Sequence, residues 1–317
     1  MFEIFGIPSQ ALFGQLLLGL INGSFYALLS LGLAVIFGML NIINFTHGAQ
    51  YMMGAFVAYL LLNGFDLPVP HIGAGWPPTF TLVHVEIGLN YWWALLLAPI
   101  IIGLTGILIE RLFLQHLRKL DPLYGLLLTF GLALVIEGLF RNVYGSSGQP
   151  YQAPDSLRGG HNLGFMFLPN YRAWVIVLSL AVCLATWFAI ERTRLGSYLR
   201  AATENPVLVR AFGINVPRMV TVTYGFGVAL AALAGVMAAP IYNVSPQMGS
   251  DLIIVVFAVV VIGGMGSIMG AIVTGFVLGI VEGLTKVFFP EASNTVIFVI
   301  MAIVLLVRPA GLFGRSA

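Results

Sequence analysis

Polar side chains are scarce in this sequence, and most of them sit inside apolar runs, where each must find a partner. The densest group opens the run Asn41–Leu62: Asn44, Thr46, His47, Gln50 and Tyr51. Helical spacing puts Asn44, His47 and Tyr51 on one face, with Gln50 beside them. Amide, hydroxyl and imidazole groups among apolar residues of a membrane segment are costly unless they pair or face water. Two chemistries fit this group: a hydrogen-bond cluster between helices, or the wall of a path for a polar solute. Metal binding does not fit, because His47 has no His, Cys or Asp close in sequence to complete a ligand set. Asn22, inside the first apolar run, and Asn243, at a later turn, are further amides that could line such a path.

The charged residues point away from catalysis. Glu137 with Arg141, and Glu282 with Lys286, stand four apart, so each pair meets on one helical face. The only lysines are Lys119 and Lys286, and neither lies in a G-x-x-x-x-G-K-[ST] phosphate loop. G-x-S-x-G and H-E-x-x-H are absent too. The chain therefore lacks the usual means to hydrolyse ATP, and a membrane enzyme is disfavoured. His71, His84, Asp66 and Glu86 share one loop, but their spacing matches no standard ligand set. Cys183, the single cysteine, sits in an apolar run and reads as a small buried residue.

The elements that must carry these groups are membrane helices. Of 317 residues, 59% are hydrophobic and 8% charged, and mean hydropathy is +0.99. A water-soluble domain has about 25% charged residues. A net charge of +2 gives no nucleic-acid footprint. The opening MFEIFGIPSQALFG has no basic stretch before its apolar segment, so the first run is expected to be retained rather than cleaved. The expectation is a single all-α polytopic domain over 1–317 with about eight to nine membrane segments. Ala11–Leu40 is long for one crossing and is expected to tilt, or to break near Gly32 or Gly38. Trp92–Leu114, Leu123–Val143, Ala173–Ile190, Val220–Ile241, Ile268–Phe288 and Thr295–Val307 follow. Leu252–Ile262 is short and is broken by Gly263-Gly264-Met265-Gly266. Interrupted helices of this kind line sites in transporters.

Basic residues orient the whole. Arg111, Arg118 and Lys119, then the arginines of 191–219, then Arg308 and Arg315 fall on one side if the amino terminus is outside. The loops Asn63–Tyr91, rich in Pro68, Pro70, Pro77 and Pro78, and Tyr144–Arg172 are then external. Segments one to four would run opposite to segments six to nine, an inverted repeat in which Asn44 and Gly48 correspond to Asn243 and Gly249.

The segment 191–219, ERTRLGSYLRAATENPVLVRAFGINVPRM, joins two spans and is strongly basic. Ala201–Phe212 has helix-compatible composition. Asn205-Pro206 is a start signal and Gly213 a stop. A short amphipathic helix along the cytoplasmic face is expected. RAATENPVLVRAFGINVPRM, followed by VALAALAGVMAAP, resembles the coupling-helix region of ABC-importer permeases, above all the family importing branched-chain amino acids and related compounds. NFTHGAQ resembles that family's N-F-A-H-G-x motif, with Thr46 in place of the frequent Ala and Ala49 where many members carry an acid. The resemblance spans essentially the whole chain, to the terminal RPAGLFG.

That resemblance implies a bacterial inner-membrane subunit with no cofactor of its own, ATP and Mg being bound by partners. It implies a second related permease as heterodimer partner, two ATPase subunits and an extracytoplasmic substrate-binding protein. Arg200, Ala202, Glu204, Asn205, Pro206, Arg210 and Gly213 would then couple to the ATPase. Asn22, Asn44, Thr46, His47, Gln50 and Asn243 would line the substrate path. An ion-coupled secondary transporter, a passive channel or structural membrane subunit, and the same importer fold carrying urea or amides are the competing readings.

Overall fold

The computed structural model describes residues 3–4, 7–40, 43–70, 80–117, 120–164 and 166–314. Arg118, Lys119, Arg315, His71, Pro77, Pro78 and Asn41, all used in the sequence reading, lie outside them.

The described residues form a helical bundle. Its helices are α1 (Ser9–Leu40), α2 (Thr46–Asn63), α3 (Tyr91–Ile109), α4 (Pro122–Tyr144), α5 (Asn170–Glu191), α6 (Arg194–Glu204), α7 (Pro206–Ala211), α8 (Val216–Ala238), α9 (Met248–Gly263), α10 (Ile268–Phe288) and α11 (Val296–Val307). Six of them, α1, α3 with its extension to Leu117, α4, α5, α8 and α10, are long and apolar enough to cross a membrane. Met248–Gly263 and Val296–Val307 are shorter apolar helices. Caps explain several starts: Asn90, Asp121, Asn205, Asn215 and Ser267 each accept a backbone N–H of the first turn.

Three expectations need correction. α1 runs unbroken for 32 residues through Gly32 and Gly38. These glycines serve packing instead: a Cβ at Gly32 would strike the carbonyl of Gly227 and the His47 ring. The proposed Ala201–Phe212 helix is two helices, split at Asn205, whose extended backbone (φ −143°, ψ 85°) is what a residue before proline adopts. Asn44 precedes α2 rather than riding on it. The loop Asn63–Tyr91 also holds an antiparallel hairpin, β1 (Phe65–Pro70) with β2 (Phe80–Val85).

The core is a set of close helix pairs. α1 lies along α10, where Gly19 and Gly23 face Gly275, Gly279 and Gly283 so closely that a Cβ on any of them would meet opposing backbone. In the same manner α8 lies along α3, with Gly225 against Gly103. α2 packs on α8, α3 and α4, and α9 packs on α1, α10 and α11. α2 and α9 meet at their first turns, Gly48 against Gly249. From that point α9 runs toward Gly266, which lies against Gly38 near the end of α1. α2 runs the other way, toward Gln149, which accepts from the Tyr59 hydroxyl at 3.4 Å.

α9 ends as the sequence suggests, at Gly264 (φ 102°) and Gly266 (φ 81°), conformations that glycine adopts at little cost. Its last carbonyls are taken by a distant segment: Leu312 N–H donates to Ile262 O at 2.8 Å and Phe313 N–H to Gly263 O at 3.0 Å.

Candidate functional site

Two helix starts meet in the middle of the bundle. His47, in the first turn of α2, donates through Nε2 to Leu29 O of α1 at 3.0 Å, and Ser30 of α1 donates to Val256 O of α9 at 3.3 Å. Both breaks therefore sit beside the middle of α1. Neither Phe45, before α2, nor Gln247, before α9, supplies a side-chain cap.

The break before α2 is filled with protein. Asn44 Nδ2 donates to the Tyr224 hydroxyl at 3.0 Å, and Gln50 Nε2 to the same oxygen at 3.4 Å. Thr46 donates to Asn44 Oδ1. Thr129 of α4 donates to Ile43 O at 3.1 Å and accepts from Phe45 N–H at 3.2 Å, satisfying the irregular backbone. Asn44, Thr46, His47 and Gln50 are all buried. His47 Nδ1 and Gln50 Oε1 have no hydrogen-bond partner among the described residues. Four of the six path residues expected from sequence are thus brought together in one buried cluster.

The other two, Asn22 and Asn243, line a cavity of about 290 Å³ at the start of α9. Its walls are polar and aromatic: Tyr26 and Phe25 from α1, Tyr51 from α2, Tyr242 and Ser245 from the turn, and Asp251 from α9. Phe25 and Tyr242 meet edge to face, centroids 5.8 Å apart. Behind this wall the Glu282 carboxylate accepts from Tyr26 at 2.6 Å and from Asn22 Nδ2 at 3.4 Å, and pairs with Lys286. Asn22 Oδ1 accepts in turn from the Tyr242 hydroxyl at 2.8 Å. Burial, and then Glu282, push that hydroxyl up to about 12, with Arg172 opposing.

The three glutamates of the long helices, Glu282, Glu137 and Glu110, are engaged. Glu137 pairs with Arg141, as the spacing requires. Glu110, which the sequence reading passed over, is fully buried in a π-helical turn, Glu110–Leu114, and accepts from the Thr221 hydroxyl at 2.7 Å. No group of three metal-ligating side chains occurs among the described residues.

The basic elbow is a third region. Arg200 bonds Glu191 Oε2 at 3.1 Å and Ile190 O at 3.3 Å, tying α6 to the end of α5. Ala202 and Val209 are buried against Val216 and Val220 at the start of α8. Asn205 caps α7, Pro206 opens it, and Gly213 (φ 82°) turns the chain out of it. Glu204 and Arg210 are exposed. So are Val207, Leu208 and Phe212, the last 77% exposed. The signal for this apolar outer face was present, since Val207, Leu208, Val209 and Phe212 are more large apolar residues than one face of so short a helix can bury. A second cavity, about 510 Å³, lies inside the elbow between Arg200, Thr203, Gly38 and the Met265–Ile268 break.

Comparison with known proteins agrees with this architecture. The chain is 29% identical to the high-affinity branched-chain amino acid transport system permease protein LivH of Escherichia coli (strain K12), over 95% of both chains. It is also 29% identical to the permease protein BraD of Pseudomonas aeruginosa, over 95% of each. The fructose import permease protein FrcC of Rhizobium meliloti is 29% identical over 56% of this chain and 49% of its own. No solved structure matches. A family profile described as "Branched-chain amino acid transport system / permease component" matches residues 15–305, and the chain belongs to that family.

Proposed function

We propose that this chain is the membrane permease subunit of an ATP-driven importer for branched-chain amino acids or related small polar solutes, multi-pass in the bacterial inner membrane. The observation that carries this reading is the end-to-end similarity to LivH and BraD, which covers spans, breaks and elbow alike. A binding protein delivers solute to the outer mouth. Separate ATPase subunits bind and hydrolyse ATP, and a second related permease completes a heterodimer.

The segment 191–219 is the lever. Its inner face, Ala202 and Val209, is continuous with the start of α8, and its outer face offers Val207, Leu208 and Phe212. A force on α7 is thereby passed to α8, and through the Thr221–Glu110 bond to α3. The amino terminus is outside, nine segments cross or enter the membrane, and α1–α4 repeat in inverted sense as α8–α11. The pairings support the repeat: α1 with α10 matches α8 with α3, and α2 with α4 matches α9 with α11. The substrate path runs between the two breaks that meet at Gly48 and Gly249, past Asn22, Asn44, Thr46, His47, Gln50 and Asn243.

An ion-coupled carrier would need free carboxylates buried in the bundle, and Glu137 and Glu282 are both paired with cations while Asp251 is exposed. The decisive test is uptake in proteoliposomes carrying the full assembly. Glu204→Arg is expected to insert normally and to abolish ATP-coupled uptake. Wild-type uptake by that variant removes the lever. Uptake that survives ATP depletion and collapses with an ionophore removes the importer. Asn44→Leu and His47→Leu are expected to lower flux more than assembly; normal transport by both reduces those residues to packing. Measuring the ligand of the partner binding protein decides between leucine-type, amide and urea cargo.

A further inference from the structure

The loop that follows α4 is fastened to the wall of the cavity lined by Asn22 and Asn243. Gln149 and Val244 exchange both backbone bonds: Gln149 N–H donates to Val244 O at 2.8 Å, and Val244 N–H to Gln149 O at 2.9 Å. Val244 is fully buried, at the centre of a turn whose neighbours Tyr242, Asn243 and Ser245 line the cavity. Gly148 lies so close to this turn that a Cβ there would stand 2.6 Å from the Asn243 Cβ. Residues 148–151 therefore cross the turn as a strap.

The strap also reaches two helix ends. Gln149 Nε2 donates to Tyr144 O, at the end of α4, at 3.3 Å. Its Oε1 accepts from the Tyr59 hydroxyl, near the end of α2, at 3.4 Å. Tyr151 anchors the far side by burial in the core, yet its hydroxyl has no hydrogen-bond partner among the described residues. A buried hydroxyl left unpaired opposes its own burial. On either side the strap is bounded by glycines in left-handed conformation, Gly145 (φ 75°) and Gly159 (φ 84°). Residues 145–148 and Pro150 are exposed. Short exposed segments with few buried contacts are the parts of a fold that open at least cost. While the strap is seated, however, the turn cannot move away from α2 and α4. The wall of the cavity is fixed with it.

We propose that residues 148–151 are a releasable strap, which holds the 242–245 turn in the position seen here and lets go of it in each transport cycle. The inference rests on the reading of the chain as an ATP-driven permease, and it adds the point at which the outer mouth is fastened. Lids and loops of this kind gate turnover in many proteins.

The test is to fix a contact that already exists. A hydrogen-bonded antiparallel pair has its Cα atoms about 5.5 Å apart, inside the span of about 4.4–6.8 Å that a disulfide bridges. Gln149→Cys with Val244→Cys can thus be joined with little displacement, and the native thiol of Cys183 is buried. The full assembly, with its binding protein, is reconstituted in proteoliposomes and supplied with radiolabelled L-leucine and ATP. Oxidation of the pair is expected to lower uptake at least about tenfold, and reduction to restore it. Uptake by the oxidised pair within twofold of the reduced one overturns the proposal, since a merely structural contact tolerates being tied. Gly148→Val is an independent probe that crowds Asn243 and loosens the strap. It is expected to raise ATP hydrolysis in the absence of binding protein by about threefold or more. Hydrolysis that is unchanged, or that falls in step with uptake and thermal midpoint, shows a packing role and overturns the proposal too. Should the double variant fail to assemble, Gly148→Val carries the test. Wild-type proteoliposomes without ATP-driven uptake refute the importer itself, whereas an active wild type with an equally active oxidised pair refutes only the strap.

Discussion

The two helix starts that meet at Gly48 and Gly249 are alike in backbone and opposite in content. Each follows an irregular stretch containing an asparagine, each lacks a side-chain cap, and each sits beside the middle of α1. Before α2 the space is packed: Tyr224 receives both Asn44 and Gln50, and Thr129 of α4 serves the bare backbone. Before α9 the corresponding space is a cavity lined by polar and aromatic side chains. An uncapped helix start in a membrane must be satisfied by something. The first is filled by side chains from α4 and α8, and the second opens onto the cavity.

Four substitutions break or sharpen this contrast. The largest effect is expected at the meeting point itself. Gly249→Val puts a branched side chain into the backbone of Gly48 and Ala49, where neither neighbour has a flexible group to move. Loss of the folded subunit from detergent extracts, followed by fluorescence-detected chromatography, is the expected result. Next is Tyr224→Phe, which leaves the Asn44 and Gln50 amides buried without their shared acceptor. It should cost about 2 kcal/mol and lower the thermal midpoint of the purified complex while leaving cargo preference unchanged. Tyr242→Phe, on the open side, removes the hydroxyl that holds Asn22. A cost of about 1 kcal/mol or less in stability with a clear fall in uptake is expected, the reverse of the Tyr224 pattern. Smallest is Glu137→Gln. Its partner Arg141 is half exposed, so the midpoint should move by no more than ~0.5 kcal/mol equivalent, with uptake unchanged. If Tyr224→Phe changed cargo and Tyr242→Phe only stability, the two breaks would have to exchange roles.

Much of this was legible because it is local. Apolar length gave the spans, the i,i+4 spacing gave both ion pairs, and Gly263–Gly266 gave the end of α9. The two Asn-led breaks suggested that Gly48 and Gly249 are equivalent positions; that these glycines touch is seen only in the structure. What stayed hidden depends on partners far apart in the chain. Nothing near Asn44 announces Tyr224, 180 residues away, and nothing near Glu282 announces Tyr26, 256 residues away. The π turn at Glu110 has no composition signal of its own. The split of the elbow at Asn205 is readable, since the residue before Pro206 is pushed out of helical conformation, which ends one helix as well as starting the next. Unbroken α1 shows the opposite error. Its glycines read as weak points, and close neighbours turn them into contact surfaces.

The hydrogen bonds from Leu312 and Phe313 to the end of α9 set a sequence in time. Those donors lie about fifty residues after the carbonyls they cover, so during synthesis the end of α9 stays unclosed until the 308–314 stretch has left the ribosome and folded back. A nascent chain halted after α11 would have every span yet lack this clasp, and an added tag that pulled 312–313 away would recreate that immature state in the finished protein.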